Sequence, residues 1–280
     1  MVSTNSILES LTFASRTTGS INDFLEKANL ILNDEAITEA QYDKVTSHLR
    51  LDILNIELFV ERNDCKTVSN PRAFIRDNIP SDDGLLSNEI FGITKEDRAG
   101  IYAYIDLHGY FIDPSCYKAW IRIDRNIRDC VHGIKKFKLT ASGELVEDEN
   151  GKTGIDFLRK NIKKIKFKST ESIRRDIKVK FLEQNRDRMF INKYLVIPPY
   201  YRDKNTENSR AVGLSGINKI YNDLIIASNA LSATQDYMFD ASDAMNGRVQ
   251  EIILNIYDWF CGNSNKNITT ELGQGLSGKM

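Results

Sequence analysis

The chain has 280 residues, a formal net charge of −1, 41% apolar and 28% charged residues, which excludes a fibrous or intrinsically disordered protein and fits one large domain or two modest ones. No apolar run approaches the ~20 residues that a membrane-crossing helix requires. The opening MVSTNSILESLTFASR lacks the basic and apolar regions of a secretory signal, so a cytoplasmic protein is expected.

Residues 1–68 read as helical. Ile21 to Leu32 and Thr46 to Phe59 both space apolar residues at the helical period. Residues 69–93 carry two prolines, Asp82-Asp83-Gly84 and Gly92, and are expected to be extended and turn-rich. Residues 101–123 are aromatic and β-branched with Gly109 and Pro114 inside, which favours short strands over a helix. Residues 136–151 suggest a small hairpin. From Ile155 to Ile165, Ile155, Leu158, Ile162 and Ile165 share one face and lysines cover the other, an amphipathic helix. Residues 171–183 are charged, with Ile173, Ile177, Val179 and Phe181 interspersed. Tyr194 to Ile197 reads as a buried strand or extended segment. Pro198 and Pro199 end it, because each removes a backbone donor and forces the residue before it into extended geometry.

Residues 202–216 are polar and read as a surface loop. Two helical patterns follow, Ile217 to Leu231 and Arg248 to Phe260, separated by the turn candidate SATQDYMFDASDAMNG. They form an antiparallel helical hairpin with Tyr237, Met238 and Phe239 near its tip. Residues 261–280 are rich in Gly and Asn and read as loop. The fold class expected from this succession is α+β.

The motifs of common chemistries are absent. There is no phosphate-binding glycine loop, no HExxH and no GxSxG. The three histidines are scattered, and Cys65, Cys116, Cys130 and Cys261 form no CxxC pair, so reduced and mostly buried thiols are expected rather than a metal site. Asp82-Asp83 and Glu147-Asp148 fall in turns, where carboxylates cap backbone groups. From Gly151 to Lys180 there are eleven Lys or Arg against three Asp or Glu. Such a block either binds phosphates or is a solvated face.

Several segments, in order, resemble the N-terminal part of the beta-prime-type (largest) subunit of multisubunit DNA-dependent RNA polymerases. Asp83-Gly84-Leu85-Leu86-Ser87-Asn88-Glu89-Ile90-Phe91-Gly92 resembles the family's GLFSERIFG segment. Gly154 to Leu158 with Ile162 to Ile165 resembles its short helix before the dock, and Arg188-Met189-Phe190 through Pro198-Pro199-Tyr200-Tyr201-Arg202 its proline-rich line. Gly216 to Tyr221 with Ser228 to Leu231, and Val249-Gln250-Glu251 with Tyr257 to Phe260, are similar to its two clamp helices. Leu272 to Lys279 is similar to the start of its switch region. The likeness covers residues 70–280. It departs from the bacterial pattern in lacking a cysteine-rich zinc module after Phe91-Gly92, and no acidic NADFDGD-type triad is present. These departures resemble the split beta-prime subunits of giant (phiKZ-like) bacteriophages, more closely the non-virion enzyme.

The resemblance implies an irregular RNA polymerase clamp-type domain with a projecting antiparallel helical hairpin. Residues 1–68 would be an N-terminal helical segment and 69–201 the clamp body without a zinc module. Residues 202–216 would be a lid-like loop, 217–260 the clamp-helix hairpin, and 261–280 a rudder-like loop and the start of the switch region. Nucleic-acid-binding candidates are Arg202, Lys204 and Arg210 in the lid, Lys266 in the rudder and Lys279 near the switch; the lid could equally be a solvated loop. Partner-binding candidates on the hairpin are Asn229, Gln235, Tyr237, Met238, Phe239, Arg248 and Gln250, although the tip residues could instead pack across their own turn. Family arginines are replaced by Ala227, Ser228, Ala230 and Ser232, which favours a phage promoter-recognition factor over an ordinary sigma factor. The implied partners are the C-terminal beta-prime chain, beta-type chains, the template DNA and the RNA transcript, with no membrane, in the cytoplasm of an infected bacterial host. No catalytic residue and no metal ligand are expected on this chain; the catalytic Mg2+ would be bound by another subunit. The alternative is a stand-alone nucleic-acid-binding or transcription-regulatory protein.

Overall fold

The computed structural model describes residues 54–76, 79–168, 172–202, 216–234 and 239–261. Helix α1 (Ile56–Arg62) is capped by Asn55, whose side chain accepts from the Leu58 amide. Short strands β1 (Lys66–Thr67), β2 (Phe74–Arg76) and β3 (Ile79–Pro80) and helices α2 (Asn88–Phe91) and α3 (Lys95–Gly100) follow. This is the turn-rich stretch expected from its prolines and glycines. The longest strand, β4 (Ala103–Ile112), is the centre of a three-stranded sheet. It pairs in parallel with β1 and antiparallel with β7 (Phe190–Val196).

Alternation along β4 points Ala103, Ile105 and Leu107 inward, each at most 1% exposed. The β4–β7 register runs from Ala103 opposite Val196 to Asp106 opposite Lys193, then slips and resumes with Phe111 opposite Ile191. The extra residues form a bulge. His108 sits there at a φ of 52°, its amide bonded to the Asp106 carboxylate.

Residues 101–123 do not stay extended as expected. The chain leaves the sheet at Asp113 and forms helix α4 (Pro114–Ile123). The reason is local: Asp113 caps the amides of Ser115 and Cys116, and Pro114 occupies the first helical position, where its missing donor costs nothing. Cys116, Tyr117, Ala119 and Trp120 then form the buried face. Helix α5 (Asn126–Val131), the expected hairpin β5 (Phe137–Leu139) and β6 (Leu145–Glu147), helix α6 (Ile155–Asn161) and helix α7 (Ile173–Gln184) surround this core. The charged segment at 171–183 is thus a helix that buries Ile177, Phe181 and Leu182.

The two longest helices are α8 (Ile217–Thr234) and α9 (Phe239–Phe260), and they pack against one another. The expected 16-residue turn is mostly helix. No proline interrupts it, and Asp243 favours the positive N-terminal end of α9. The expected projection is also corrected. Leu231 of α8 packs beside Gly109 in the β4 bulge, Asp243 of α9 lies over Gly133 and Gly154, and Gly247 meets His132. The hairpin therefore lies along the body from Ile217 to Leu231 and from Asp243 to Phe260, because α8 and α9 contribute Tyr221, Leu224, Ile225, Val249, Ile253 and Ile256 to the same core as the sheet. The class is α+β. Among the described residues no helix is long and apolar enough to cross a membrane.

Candidate functional site

The corner after β7 is where sheet, turn and hairpin meet. Val196 is the last strand residue, and Pro198 (φ −55°, ψ 146°) directs the chain into a single 3-10 turn, Pro199–Tyr201. Both prolines lack an amide to donate, so the strand ladder cannot continue. The Tyr201 and Arg202 amides donate instead to the carbonyls of Pro198 and Pro199, which closes the turn. Tyr200 and Tyr201 stack edge-on with centroids 5.3 Å apart, and the Lys95 ammonium lies 5.7 Å from the Tyr200 ring.

Arg202 is 2% exposed. Its Nε donates to Ile197 O, Nη1 to Asn218 Oδ1 and Nη2 to Leu85 O, all at 2.8 Å. The guanidinium lies 5.1 Å from the Phe91 ring and 5.9 Å from the Tyr221 ring. Burial pulls its pKa down to about 10, the Arg98 charge adds to the fall, and Tyr221 opposes it. It stays protonated at neutral pH. One side chain thus joins the strand end, the first turn of α8 and the Leu85-Leu86 segment, whose leucines are each 1% exposed. A lysine could not do this, because a point donor has no fork to span three acceptors. Tyr221 adds a second tie, donating to Leu195 O at 3.2 Å.

Two further ties hold the hairpin. Gln250, fully buried on α9, accepts from the Ile112 amide and donates to the Ile112 carbonyl, both at 2.8 Å. Asn229, exposed on α8, donates to Ser69 O at 3.0 Å. An ion pair between Lys118 of α4 and Asp258 of α9 closes the far end, with the Lys118 ammonium 5.0 Å from the Tyr257 ring. Beside it Asp113 is partly buried, and loss of solvation raises its carboxyl pKa to about 6 against the lowering effect of the Cys116 and Ser115 amides.

These positions correct two expectations. Arg202 is a buried fastener and not a surface cation available to phosphates. Gln250 is spent on Ile112 and has no free face for a partner. Asn229 is exposed but already bonded within the chain, and Arg248 is exposed. Phe239 opens α9, but its side chain lies outside the described residues, as do Lys204, Arg210, Gln235, Tyr237, Met238, Lys266 and Lys279. Residues 203–215 of the lid-like loop, 262–280 of the rudder-like segment and the first 53 residues lie outside them too.

Three of the four paired carboxylates have partners within the chain. Asp83 accepts from Asn70 Nδ2 and Ser69 Oγ, and the Asn70 bond leads in lowering its pKa. Asp148 accepts from the Asn150 amide, and Glu147 pairs with Lys135 at 2.7 Å. Burial pushes the Cys116 and Cys130 thiols up, to about 12 for Cys130, so neither is poised as a nucleophile. Among the described residues no group of three or more His, Cys, Asp or Glu is placed to hold a metal ion.

The residues that sequence reasoning missed are Asn218, Leu85 and Asp113. The Asp113-Pro114 pair carried a readable N-cap signal. The Arg202 contacts did not, because two of their partners are backbone carbonyls, one of them 117 residues away, and the third is a side chain 16 residues on. No protein-family model matches the chain, and no curated protein matches it.

Proposed function

We propose that this chain is a non-catalytic, clamp-forming subunit of a phage-type multisubunit DNA-directed RNA polymerase, the N-terminal part of a split beta-prime subunit. The observation that carries the reading is the ordered run of segments from Leu85 to Phe260. The Leu85-Leu86 segment, the Pro198-Pro199 corner and the hairpin all resemble the same family, and Arg202 ties the three together. In this reading the body holds the template, the loop that starts at Arg202 separates RNA from template, and the hairpin docks a promoter-recognition factor. The nucleotidyl transfer itself uses two magnesium ions held by another chain, in the cytoplasm of the infected host.

Tagged chain purified from infected cells should bring down a second chain carrying an acidic DxDxD-type loop, read by mass spectrometry, and should incorporate no nucleotide by itself. A monomer with no such companion ends the proposal. Replacing Tyr237 and Phe239 by Ala in the assembled enzyme should impair promoter-dependent initiation and spare elongation on a preformed scaffold; equal loss of both counts against a docking role. A second reading, a stand-alone nucleic-acid-binding regulator, is favoured by the basic surface of α7 and is separated from the first by the same purification.

A further inference from the structure

Half of the exposed large apolar side chains of the described residues gather around one corner. Leu58 is on α1 and Leu54 just precedes it, Ile93 and Ile101 flank α3, and Tyr200 and Tyr201 belong to the 3-10 turn. These pieces adjoin. Helix α1 packs on β7, the strand that runs into the turn, and its Phe59 ring meets Tyr102 edge-on at 5.3 Å. Tyr102 follows Ile101, whose amide closes α3 on the Asp97 carbonyl. Helix α3 packs in turn against the 3-10 turn, where Lys95 approaches the Tyr200 ring. Ile93 is 79% and Tyr200 54% exposed, and Glu57, Lys95 and Glu96 stand exposed on the same two helices. Single exposed apolar residues are ordinary, but a gathering of them with polar neighbours marks a contact surface.

The chain that leads into this corner carries a matching stripe. Leu54 is the first described residue, so residues 1–53 join the body at the patch itself. Within them Ile21, Phe24, Leu25, Ala28 and Leu32 recur at the spacing of one helix face, and Ser20 with Asp23 three residues on is a helix-start signature. A helix of about 12 residues is marginal alone in water, so such a stripe needs an apolar surface to lie on. The 21 residues from 33 to 53 connect it to Leu54. Extended, a tether of that length reaches about 70 Å, and it holds the stripe at an effective concentration on the order of mM. A second copy of the chain, or a separate partner, would have to displace a competitor already tethered at the site.

We propose that residues 21–32 of the same chain dock as an amphipathic helix on the corner made by α1, α3 and the Tyr200-Tyr201 turn, with the stripe from Ile21 to Leu32 covering Ile93, Tyr200 and Tyr201. The N-terminal segment is then an intrachain brace. It covers the outer side of the turn whose inner side Arg202 fastens, at the base of the loop that starts there.

Hydrogen exchange of the full chain, read by mass spectrometry, tests this. The amides of 21–32 should exchange at least about tenfold more slowly than those of an unstructured peptide of the same sequence. The protection should be the same at about 50 and about 1 µM chain, as an intrachain contact requires. Ile93→Ser with Tyr201→Ser should bring these amides to within about twofold of the peptide rates while β4 keeps its protection. In the reverse direction, Phe24→Asp with Leu25→Asp leaves the body untouched and should raise nitration of Tyr200 and Tyr201 several-fold, with the buried Tyr194 and Tyr221 unchanged. Where the Ile93 and Tyr201 variant also loses β4 protection, the Phe24 and Leu25 variant decides, and unchanged nitration overturns the proposal. It is overturned equally by wild-type amides at 21–32 that exchange at peptide rates, which leaves the patch to a partner chain. Protection lost on dilution overturns it by assigning the patch to a second copy, and protection that survives the Ile93 and Tyr201 variant does so by placing the segment elsewhere. The measurement needs no partner chain, so it stands or falls apart from the polymerase reading.

Discussion

Arg202→Met tests whether the buried arginine fastens the hairpin to the body. Methionine fills similar space and removes the guanidinium. Three acceptors, Ile197 O, Asn218 Oδ1 and Leu85 O, then lose their donor. A buried unsatisfied acceptor costs about 1–3 kcal/mol, and relief of the arginine's own desolvation returns part of that. The net loss should be about 3–5 kcal/mol, near the upper end for a single substitution. Arg202→Lys keeps the charge but reaches fewer acceptors, so about half that loss is expected. Urea unfolding of the full chain, followed by circular dichroism, reads the effect. With an m value of about 3 kcal/mol/M the midpoint should fall by at least about 1 M for the methionine variant. Hydrogen exchange should accelerate first at the start of α8, around Ile217 to Leu224, and later in β4. A methionine variant within about 0.5 kcal/mol of wild type, or exchange that accelerates equally in both elements, refutes the reasoning.

Three other outcomes follow from the geometry. Asp113 has a carboxyl pKa raised from 3.8 to about 6 by burial. Its contribution is therefore fully present below pH 4 and lost as pH rises through 6, at most about 3 kcal/mol by pH 7–8; Asp113→Asn keeps an N-cap acceptor, and a pH series of urea midpoints should lack this decline. Gln250→Leu strands the amide and carbonyl of Ile112 and should cost about 2–4 kcal/mol in the same assay, whereas Gln250→Glu, which still accepts from the amide, should cost less. Pro198→Gly with Pro199→Gly should lower stability by about 1–2 kcal/mol through the unfolded chain's entropy and, in an assembled polymerase, impair RNA displacement on a scaffold before the clamp unfolds; unchanged displacement would argue against a stiff anchor for the loop.

Local rules made part of the fold readable. The hairpin at β5–β6, the strand ending at Pro198 and the two amphipathic helices each follow from periodicity and punctuation within a short window. The misread stretch, 101–123, had the right signal in the wrong place. Its β-branched and aromatic residues suit a strand up to Ile112, but Asp113-Pro114 restarts the chain as a helix whose buried face, Cys116 to Trp120, looks like more strand in composition. The hairpin's expected projection failed for a different reason. Amphipathic periodicity says that a helix has a buried face, but not whether the sheet as well as its twin helix covers it. Only the contacts of Leu231 with the Gly109 bulge, of Asp243 with Gly133 and Gly154, and of Gly247 with His132 settle that.

The candidate site was legible at its covalent centre and hidden in its contacts. Two adjacent prolines are sufficient to say that the chain turns stiffly. They cannot say that the arginine three residues on turns inward. A cation after a polar-looking corner reads as solvent-facing, since an arginine without a carboxylate is seldom buried. Here it is buried because the acceptors are carbonyls left over by the corner itself and by the Leu85 segment, together with the Asn218 side chain at the start of α8. The prolines end the strand, and Ile197, with no β partner beyond it, offers its carbonyl to Arg202. The corner and the arginine are thus one device: the first sets the direction of the chain, and the second fixes it against the body and the hairpin at once. A loop anchored at such a point begins from a fixed position whatever the loop itself does.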